Sequence, residues 1–192
     1  CDALIEGNLF ANYVKDQYNK ASGESNALSA GAGMHYVLRH NLFVNVQHVA
    51  QIKDDAFATF VNNTAVNVSG AAIYFDLDLP FRKPGRGAIV ENSIFWKTPT
   101  VFEGVADDTE LAVSYSCLPS SWHGYGPGNI SVDPLFVKDG YADPNSASAD
   151  SADGDYHLVS QAGRWDAIEK CWVRDDVTSP CIDVGDPNAD WT

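Results

Sequence analysis

The sequence predicts an all-β solenoid, in which the chain winds into stacked coils and every coil repeats the same strands. Three observations support this fold class. One short phrase recurs four times, the spacing between its copies varies, and asparagines recur at fixed places within it. Variable periods around a constant phrase are typical of solenoids, because stacked strands keep their register while the loops that leave each coil can change length.

The phrase is clearest at residues 37–45, where an apolar residue lies three positions before an asparagine and a mostly apolar pair or triplet follows it. The other copies lie at 4–12, 59–67 and 88–96. The anchor residues of the four copies are Asn8, Asn41, Asn63 and Asn92. The periods are therefore 41−8=33, 63−41=22 and 92−63=29.

Aligning the copies predicts columns of stacked side chains. An asparagine tolerates a left-handed backbone at a sharp corner, and its amide can donate to one neighbouring coil and accept from the other. A gapless alignment of the second and third copies also pairs two aspartates thirteen residues after their anchors. The predicted polar columns are Asn8/Asn41/Asn63/Asn92, Asn12/Asn45/Asn67 and Asp54/Asp76. The predicted inward-facing apolar columns are Ile5/Leu38/Phe60/Ile89 and Phe10/Phe43/Ala65/Ile94.

Taken in order, the chain divides into regular coils and a degenerate end. Four coils span 1–33, 34–56, 57–87 and 88–108, and loops rich in Gly, Pro or polar residues leave them. After residue 109 the phrase decays into a strand at 111–116, a Gly/Pro/aromatic loop at 119–128 and a low-complexity stretch at 139–154. We predict one β-helix domain over 1–192, with repeating coils at 1–118 and degenerate coils and a cap at 119–192.

Composition limits the partners that the protein can have. The 192 residues carry a formal net charge of −14 at pH 7, which argues against nucleic acid or an anionic membrane surface as a partner. No apolar run reaches the roughly 18 residues that a membrane span needs, so we expect no membrane insertion. The chain enters in the middle of a repeat phrase at Cys1, which suggests that something precedes it. An open first coil could then stack end to end on another chain.

The four cysteines do not form a zinc pattern, because none makes a C-x-x-C pair and no histidine lies at ligand spacing. Cys171 and Cys181 are close enough in sequence to close a loop by a disulfide in an oxidising compartment. The alternative is two buried thiols.

The end of the chain resembles a known group of proteins. The segments at 128–136, 155–158, 163–166 and 179–187, together with the repeated Asn-x-Phe-x-Asn phrase, resemble the C-terminal, closing coils of secreted bacterial right-handed parallel β-helix proteins of the pectate-lyase-like superfamily. The resemblance covers nearly the whole chain. It implies a right-handed parallel β-helix that is secreted or displayed at the cell surface, and a link to polysaccharides by analogy of fold.

Lyases and hydrolases on this fold need clustered carboxylates and a base. Asp54 and Asp76 are predicted one coil apart, roughly 5 Å by strand spacing, and Lys53 could serve as a basic neighbour. We therefore treat Lys53, Asp54 and Asp76 as candidate catalytic residues. The alternative is a row of solvated corners, since Asp is a common turn residue. Arg39 and His40 are each either a base or sugar contact or an ordinary exposed position.

The loop at 119–128 is the predicted carbohydrate contact, because Trp122, His123 and Tyr125 share a glycine-rich stretch and aromatic rings stack on sugars. Arg82, in the basic loop at 79–87, is the fourth candidate contact. The alternative for the aromatic residues is that they fold down over the last coil. Three further tryptophans are expected to pack within the cap: Trp165, Trp172 and Trp191.

A calcium ion is the one cofactor that the sequence suggests. Asp150, Asp153 and Asp155 place oxygen ligands at short spacing around a glycine, although the full EF-hand pattern is absent. A flexible acidic loop is the alternative.

Two functions remain open at this point. The first is an extracellular β-helix module that binds polysaccharide or joins another surface protein in an assembly. The second is a polysaccharide lyase or glycoside hydrolase acting on an acidic polysaccharide.

Overall fold

The computed structural model describes residues 2–13, 26–75, 83–140 and 154–189, and every regular element in these ranges is a β-strand. Three parallel sheets dominate. In chain-order numbering, the first sheet contains β1 (Asp2–Glu6), β4 (His35–Arg39), β7 (Phe57–Val61), β10 (Gly87–Glu91) and β13 (Glu110–Ser114). The second contains β2 (Leu9–Tyr13), β5 (Leu42–Val46), β8 (Thr64–Val66) and β11 (Ile94–Trp96). The third contains β3 (Asn26–Ala30), β6 (His48–Ile52), β9 (Ala71–Phe75) and β12 (Thr100–Glu103).

Each of the first four coils adds one strand to every sheet, and the strands of successive coils pair in parallel. This arrangement is a parallel β-helix, so the predicted all-β solenoid is confirmed. The remaining strands form two antiparallel pairs: β14 (Phe136–Lys138) with β15 (Asp155–Leu158), and β16 (Arg164–Asp166) with β17 (Cys171–Val173). Over the described ranges, no helix has the length and apolarity that crossing a membrane requires.

The apolar columns fill the interior of the helix, with one correction to the predicted alignment. Ile5, Leu38 and Phe60 stack in register as predicted, but the next residue of the column is Val90 and not Ile89. Phe10, Phe43 and Ala65 likewise stack as predicted and are followed by Phe95, because Ile94 pairs with Thr64. The fourth copy is therefore displaced by one residue, and its period is 90−60=30. Val90 and Phe95 are buried, as core positions must be.

The asparagine ladder forms, and it is longer than predicted. The Asn41 amide donates to Asn63 Oδ1 over 3.0 Å, and the Asn8 amide donates to Asn41 Oδ1 over 3.2 Å. The fourth member is Ser93 and not Asn92, since Ser93 Oγ accepts the backbone N–H of Asn63. Ser116 and then Asn129 continue the ladder.

The left-handed backbone lies one residue before the ladder, and not at its asparagines as predicted. The residues in that conformation are Gly7, His40, Asn62, Asn92, Tyr115 and Gly128. The chain thus turns at one residue and forms the interstrand ladder with the next. We call this row of six residues the corner column.

The second asparagine column is confirmed. Asn12, Asn45 and Asn67 have φ values of 64°, 54° and 56°. Their amides bond along the stack, from Asn45 to Asn12 and from Asn67 to Asn45, each over 3.2 Å. Here one residue both turns the chain and builds the ladder.

The gapless alignment that paired Asp54 with Asp76 is wrong. The strands just before them pair Ile52 with Phe75, an offset of 75−52=23 where the alignment requires 22. One extra residue therefore precedes β9 in the third coil. Asp76 itself lies outside the described residues.

The repeating coils end in an incomplete winding. Cys117 pairs in parallel with Ile94 on one side and Ile130 on the other. Between them, the loop at 119–128 brings Trp122 against the core, edge to face with Phe102 at 5.7 Å between ring centroids. The division into coils at 1–118 and a cap at 119–192 stays a prediction.

Candidate functional site

The described residues 136–140 and 154–189 lie against the corner column and the adjoining second sheet, and we call them the closing segment. Two contacts show its course. The backbone N–H of Asp186 donates to Asn92 Oδ1 over 2.7 Å, and Lys97 Nζ lies 3.0 Å from Asp139 Oδ2. Because the corner column presents polar groups and left-handed turns, the closing segment meets it through hydrogen bonds and leaves two cavities between them.

The first cavity, of about 610 Å³, opens between the corner of the second and third coils and the two antiparallel strand pairs. Polar groups reach it from both sides, His40 and Asn62 from the corner and Lys138, Asp155 and His157 from the closing segment. A cavity of this size holds a sugar residue or two, since ligand sites commonly measure roughly 300–1,000 Å³.

His157 is held in a defined orientation within this cavity. Its Nδ1 lies 2.6 Å from Asp155 Oδ1, and the same oxygen accepts the His157 backbone N–H over 3.1 Å. The two residues lie on one face of β15 because they are two apart in a strand. With Nδ1 on the carboxylate, Nε2 is the ring nitrogen that can bond a ligand or accept a proton.

The second cavity, of about 590 Å³, adjoins the first at Asn62. Asp186 lines it, and the Glu91 carboxyl lies beside Asp186. Burial, together with the hydrogen bond to and charge of Asp186, raises the pKa of Glu91 above its usual range. The protonated form of Glu91 is therefore favoured more than in an ordinary glutamate.

Two tryptophans project from the hairpin β16–β17. Trp165 and Trp172 are opposite each other in register and are 45% and 73% exposed. The expectation that they pack within a cap is wrong for both, and Trp191 lies outside the described residues. Facing side chains on a strand pair project to the same side, so the two exposed indoles lie on one face of the hairpin. We call them the tryptophan pair.

The hairpin is anchored by the residue next to Trp165. The guanidinium of Arg164 donates to both carboxylate oxygens of Asp175, over 2.9 Å and 3.1 Å. Asp175 also accepts the Ser160 backbone N–H over 2.8 Å. The Arg164 bonds, and to a smaller extent the Ser160 bond, lower the pKa of Asp175. Since neighbouring strand residues face opposite ways, anchoring Arg164 turns the tryptophans outward.

The residues of the predicted carbohydrate loop lie in two different environments, one against the core and one in solvent. Trp122 is half-buried on the core, with Gly124 packed so closely on its indole that a side chain there would overlap it. His123 is exposed, and Tyr125 is 98% exposed. Arg82 lies outside the described residues. These residues stay predicted contacts.

The two predicted catalytic residues that the structure describes, Lys53 and Asp54, line neither cavity. Lys53 and Asp54 occupy a turn after β6, where the Asp54 backbone N–H donates to Lys83 O and Asp54 O accepts from Gly33. The neighbouring carboxylate, Asp55, pairs with Lys83 Nζ at 2.9 Å. Without a described position for Asp76, the set Lys53, Asp54 and Asp76 remains a prediction. Of the other two candidates, Arg39 pairs with Glu6 at 2.7 Å, whereas His40 lines the first cavity.

The calcium prediction falls mostly outside the described residues, which exclude Asp150 and Asp153. The third predicted ligand, Asp155, is the partner of His157. In the part of the chain that the structure describes, no three His, Cys, Asp or Glu side chains come together as a metal site would require. Calcium binding at these aspartates stays a prediction.

Cys171 and Cys181, the pair predicted to close a loop, are both free thiols. Cys171 is exposed on β17, while Cys181 is half-buried and lines the second cavity. Cys117 is also free and lines the same cavity.

The sequence contained weak signals for the groups that its analysis missed. The run Asp155-Tyr-His-Leu158 alternates as a strand does and thereby places Asp155 and His157 on one face. Trp165 and Trp172 are seven positions apart, a spacing at which a short hairpin can place them opposite each other. Neither signal indicates which face is exposed.

Comparison with known families gives one match. A family model described as "Disaggregatase related" matches residues 120–185, which is 66 of the 192 residues. The matched part includes the aspartate–histidine pair and the tryptophan pair. No curated protein and no solved structure matches the chain significantly.

Proposed function

We propose that the protein is an extracellular or cell-surface β-helix module that binds polysaccharide through the tryptophan pair and the first cavity. The observation that carries this proposal is the exposure of Trp165 and Trp172. Burying an indole is strongly favourable, so two exposed indoles on one face of an anchored hairpin indicate a surface that a ligand covers.

The chemistry of the two sites suits a sugar polymer. An indole offers a flat apolar surface to the C–H face of a sugar ring, as well as an N–H donor. The turn of the same hairpin contributes Ala167 and Ile168 to the lining of the first cavity, so the two sites are neighbours. One chain of linked sugars could therefore contact both.

The charges in the first cavity favour an acidic polysaccharide. Among the described residues that line the first cavity, Lys138, His40 and His157 accompany one carboxylate, that of Asp155, in a protein whose net charge is −14. A uronic acid carboxylate would meet hydrogen-bond donors in this cavity. Over much of the remaining surface, the acidic side chains of the protein would repel it. The description of the matched family, which refers to disaggregation, is consistent with a module that acts at cell surfaces.

Affinity electrophoresis through gels containing polysaccharides with and without uronic acids tests the proposal. We expect retardation in a uronic acid polysaccharide, loss of retardation in Trp165→Ala and Trp172→Ala, and normal retardation in Tyr125→Ala. Tyr125 is a matched control because it is an exposed aromatic residue of the other candidate loop. Loss of retardation in Tyr125→Ala alone would place binding at 119–128, and no retardation in any gel would contradict the proposal.

A second candidate is a polysaccharide lyase or glycoside hydrolase, favoured by the acidic pair of Glu91 and Asp186 beside the second cavity. A carboxyl group whose pKa is raised can act as a general acid while a neighbouring carboxylate stays ionised. Acidic polysaccharides should be incubated with the protein and assayed for reducing ends and for ultraviolet-absorbing unsaturated product, with and without EDTA. Activity that Glu91→Gln abolishes would support the acidic pair, and activity that Asp54→Asn abolishes would support the turn after β6.

A further inference from the structure

Two cysteines from distant parts of the chain meet in the second cavity. Cys117 belongs to the last winding of the β-helix, and Cys181 belongs to the closing segment. They are 181−117=64 positions apart, and both line the cavity of about 590 Å³.

Both cysteines are held over the same turn of the chain, Cys117 by its thiol and Cys181 by its backbone. The Cys117 thiol donates to the Val132 carbonyl over 3.3 Å. On the other side, the Cys181 backbone N–H donates to Ser179 Oγ over 3.0 Å, and that hydroxyl donates to the Pro134 carbonyl over 2.6 Å. The hydrogen bonds to the carbonyls of residues 132 and 134 thus hold the two cysteines near each other. These bonds do not depend on a contact between the sulfur atoms.

The two side chains also interact directly. A hydrogen bond between the thiols lowers the pKa of Cys117 and raises that of Cys181, because the S–H of one stabilises the thiolate of the other. A thiolate facing a second thiol is the arrangement from which a disulfide closes. The other pairing, Cys171 with Cys181, lacks such a contact, since Cys171 is exposed on β17.

We propose that Cys117 and Cys181 form a disulfide that fastens the closing segment to the β-helix. The reaction with an oxidised small-molecule disulfide such as glutathione balances as follows. The Cys117 thiolate, which the hydrogen bond from Cys181 favours, attacks the glutathione disulfide and releases one glutathione thiolate. The Cys181 thiol then loses its proton, attacks the Cys117 sulfur and releases the second glutathione thiolate. The two protein thiols lose two electrons and two protons, and two molecules of reduced glutathione form.

Trypsin digestion separates the three relevant cysteines. Cleavage after Lys97, Lys138, Lys170 and Arg174 places Cys117 in peptide 98–138, Cys171 in 171–174 and Cys181 in 175–192. The native protein should be equilibrated with oxidised glutathione, alkylated to block its free thiols, digested with trypsin near neutral pH and analysed by mass spectrometry. We expect peptide 98–138 linked to 175–192, and peptide 171–174 alkylated.

Variants provide the matched controls. Cys171→Ser should retain the link, whereas Cys181→Ser should lose it and leave peptide 98–138 joined to no other peptide. Oxidation should raise the unfolding temperature of the wild type and of Cys171→Ser by about 8–15 °C, because a long loop is closed in the unfolded chain. Cys181→Ser should show no such rise. Its half-buried position makes it a safer variant than the buried Cys117.

Three outcomes would overturn the proposal. One is peptide 175–192 linked to any peptide other than 98–138. The second is peptide 175–192 carrying glutathione with Cys117 still alkylated, and the third is both thiols remaining free after oxidation.

Discussion

Asn63 illustrates how a single side chain stabilises the stack of coils. Its amide donates to the carbonyls of Leu38 and Val61, and its Oδ1 accepts both the backbone N–H and the amide of Asn41. All four bonds lie in the buried or half-buried interior, where an unsatisfied partner is costly. The ladder therefore stabilises the folded protein as long as each of its polar atoms has a hydrogen-bond partner.

Replacing Asn63 tests this contribution. We expect Asn63→Ala to lower the free energy of unfolding by about 3 kcal/mol, because it leaves buried groups of the neighbouring coil unpaired. Asn63→Ser should cost about half as much, because Ser93 already fills a ladder position by accepting from Asn63 and donating to the Glu91 carbonyl. Urea denaturation measures both, with the exposed Asn188→Ala as control. Equal losses in the alanine and serine variants would contradict this account of the ladder.

The ion pair of Asp175 predicts a pH dependence at the residue scale. Its pKa in the folded protein lies below the value of roughly 3.9 expected for the unfolded chain, so the unfolded state binds more protons as the pH falls. The stability from this pair is fully present above the unfolded pKa and is lost as the pH falls through the folded pKa.

Urea denaturation of Asp175→Asn between pH 7 and pH 2.5 measures this loss. We expect the variant to be less stable than the wild type at pH 7 and the difference to disappear at the acid end. Asp107→Asn, at an exposed position, should follow the wild type throughout. A difference that stays constant with pH would contradict a role for the Asp175 charge.

At the scale of elements, glycines show where neighbouring coils come closest. Gly104 follows β12 with φ of 72°, and a Cβ atom there would overlap the Phe75 carbonyl oxygen. Gly7 has a similar φ of 67°, yet a Cβ atom there would meet nothing within 4 Å. The two positions share backbone strain and differ only in the contact between coils.

Alanine at these two glycines separates strain from contact. Gly7→Ala should cost about 1 kcal/mol, from the left-handed backbone alone. Gly104→Ala should cost about 3 kcal/mol or more, because β12 must also move away from β9. Thermal unfolding of the two variants gives the comparison. Similar losses would show that the contact at Phe75 relaxes without cost.

The strands were predictable because their pattern is local. Leu38, Phe43, Asn41 and Asn45 were placed correctly, since the spacing within one phrase fixes which side chains face inward. The fourth copy was displaced by one residue because the alignment followed Asn92, although a serine can serve in the ladder as Ser93 does. The alignment at Asp54 failed because one inserted residue precedes β9.

The candidate site could not be predicted because it depends on contacts between distant parts of the chain. Asp186 meets Asn92 from 94 positions away, and no repeat in the sequence marks that contact. The composition of the hairpin likewise does not reveal that Arg164 faces Asp175 and leaves Trp165 outside. Periodicity specifies the β-helix, whereas the closing segment has none.

At the scale of the whole molecule, the β-helix is a rigid frame and the closing segment supplies the candidate chemistry. The regular coils contribute His40 and Asn62 to the first cavity. The closing segment contributes the aspartate–histidine pair and, next to the cavity, the tryptophan pair. It is also most of the part that matches the disaggregatase-related family. A ligand that bridges both parts would stabilise their association.

The most direct test of polysaccharide binding at this site is calorimetric titration with an oligosaccharide from the polysaccharide that retards the protein. We predict that the double variant Trp165→Ala/Trp172→Ala binds about tenfold or more weakly than the wild type, because two stacking contacts are removed. Tyr125→Ala should bind within about twofold of the wild type, and all three proteins should share the same circular dichroism spectrum. Wild-type affinity in the double variant would contradict the proposed site.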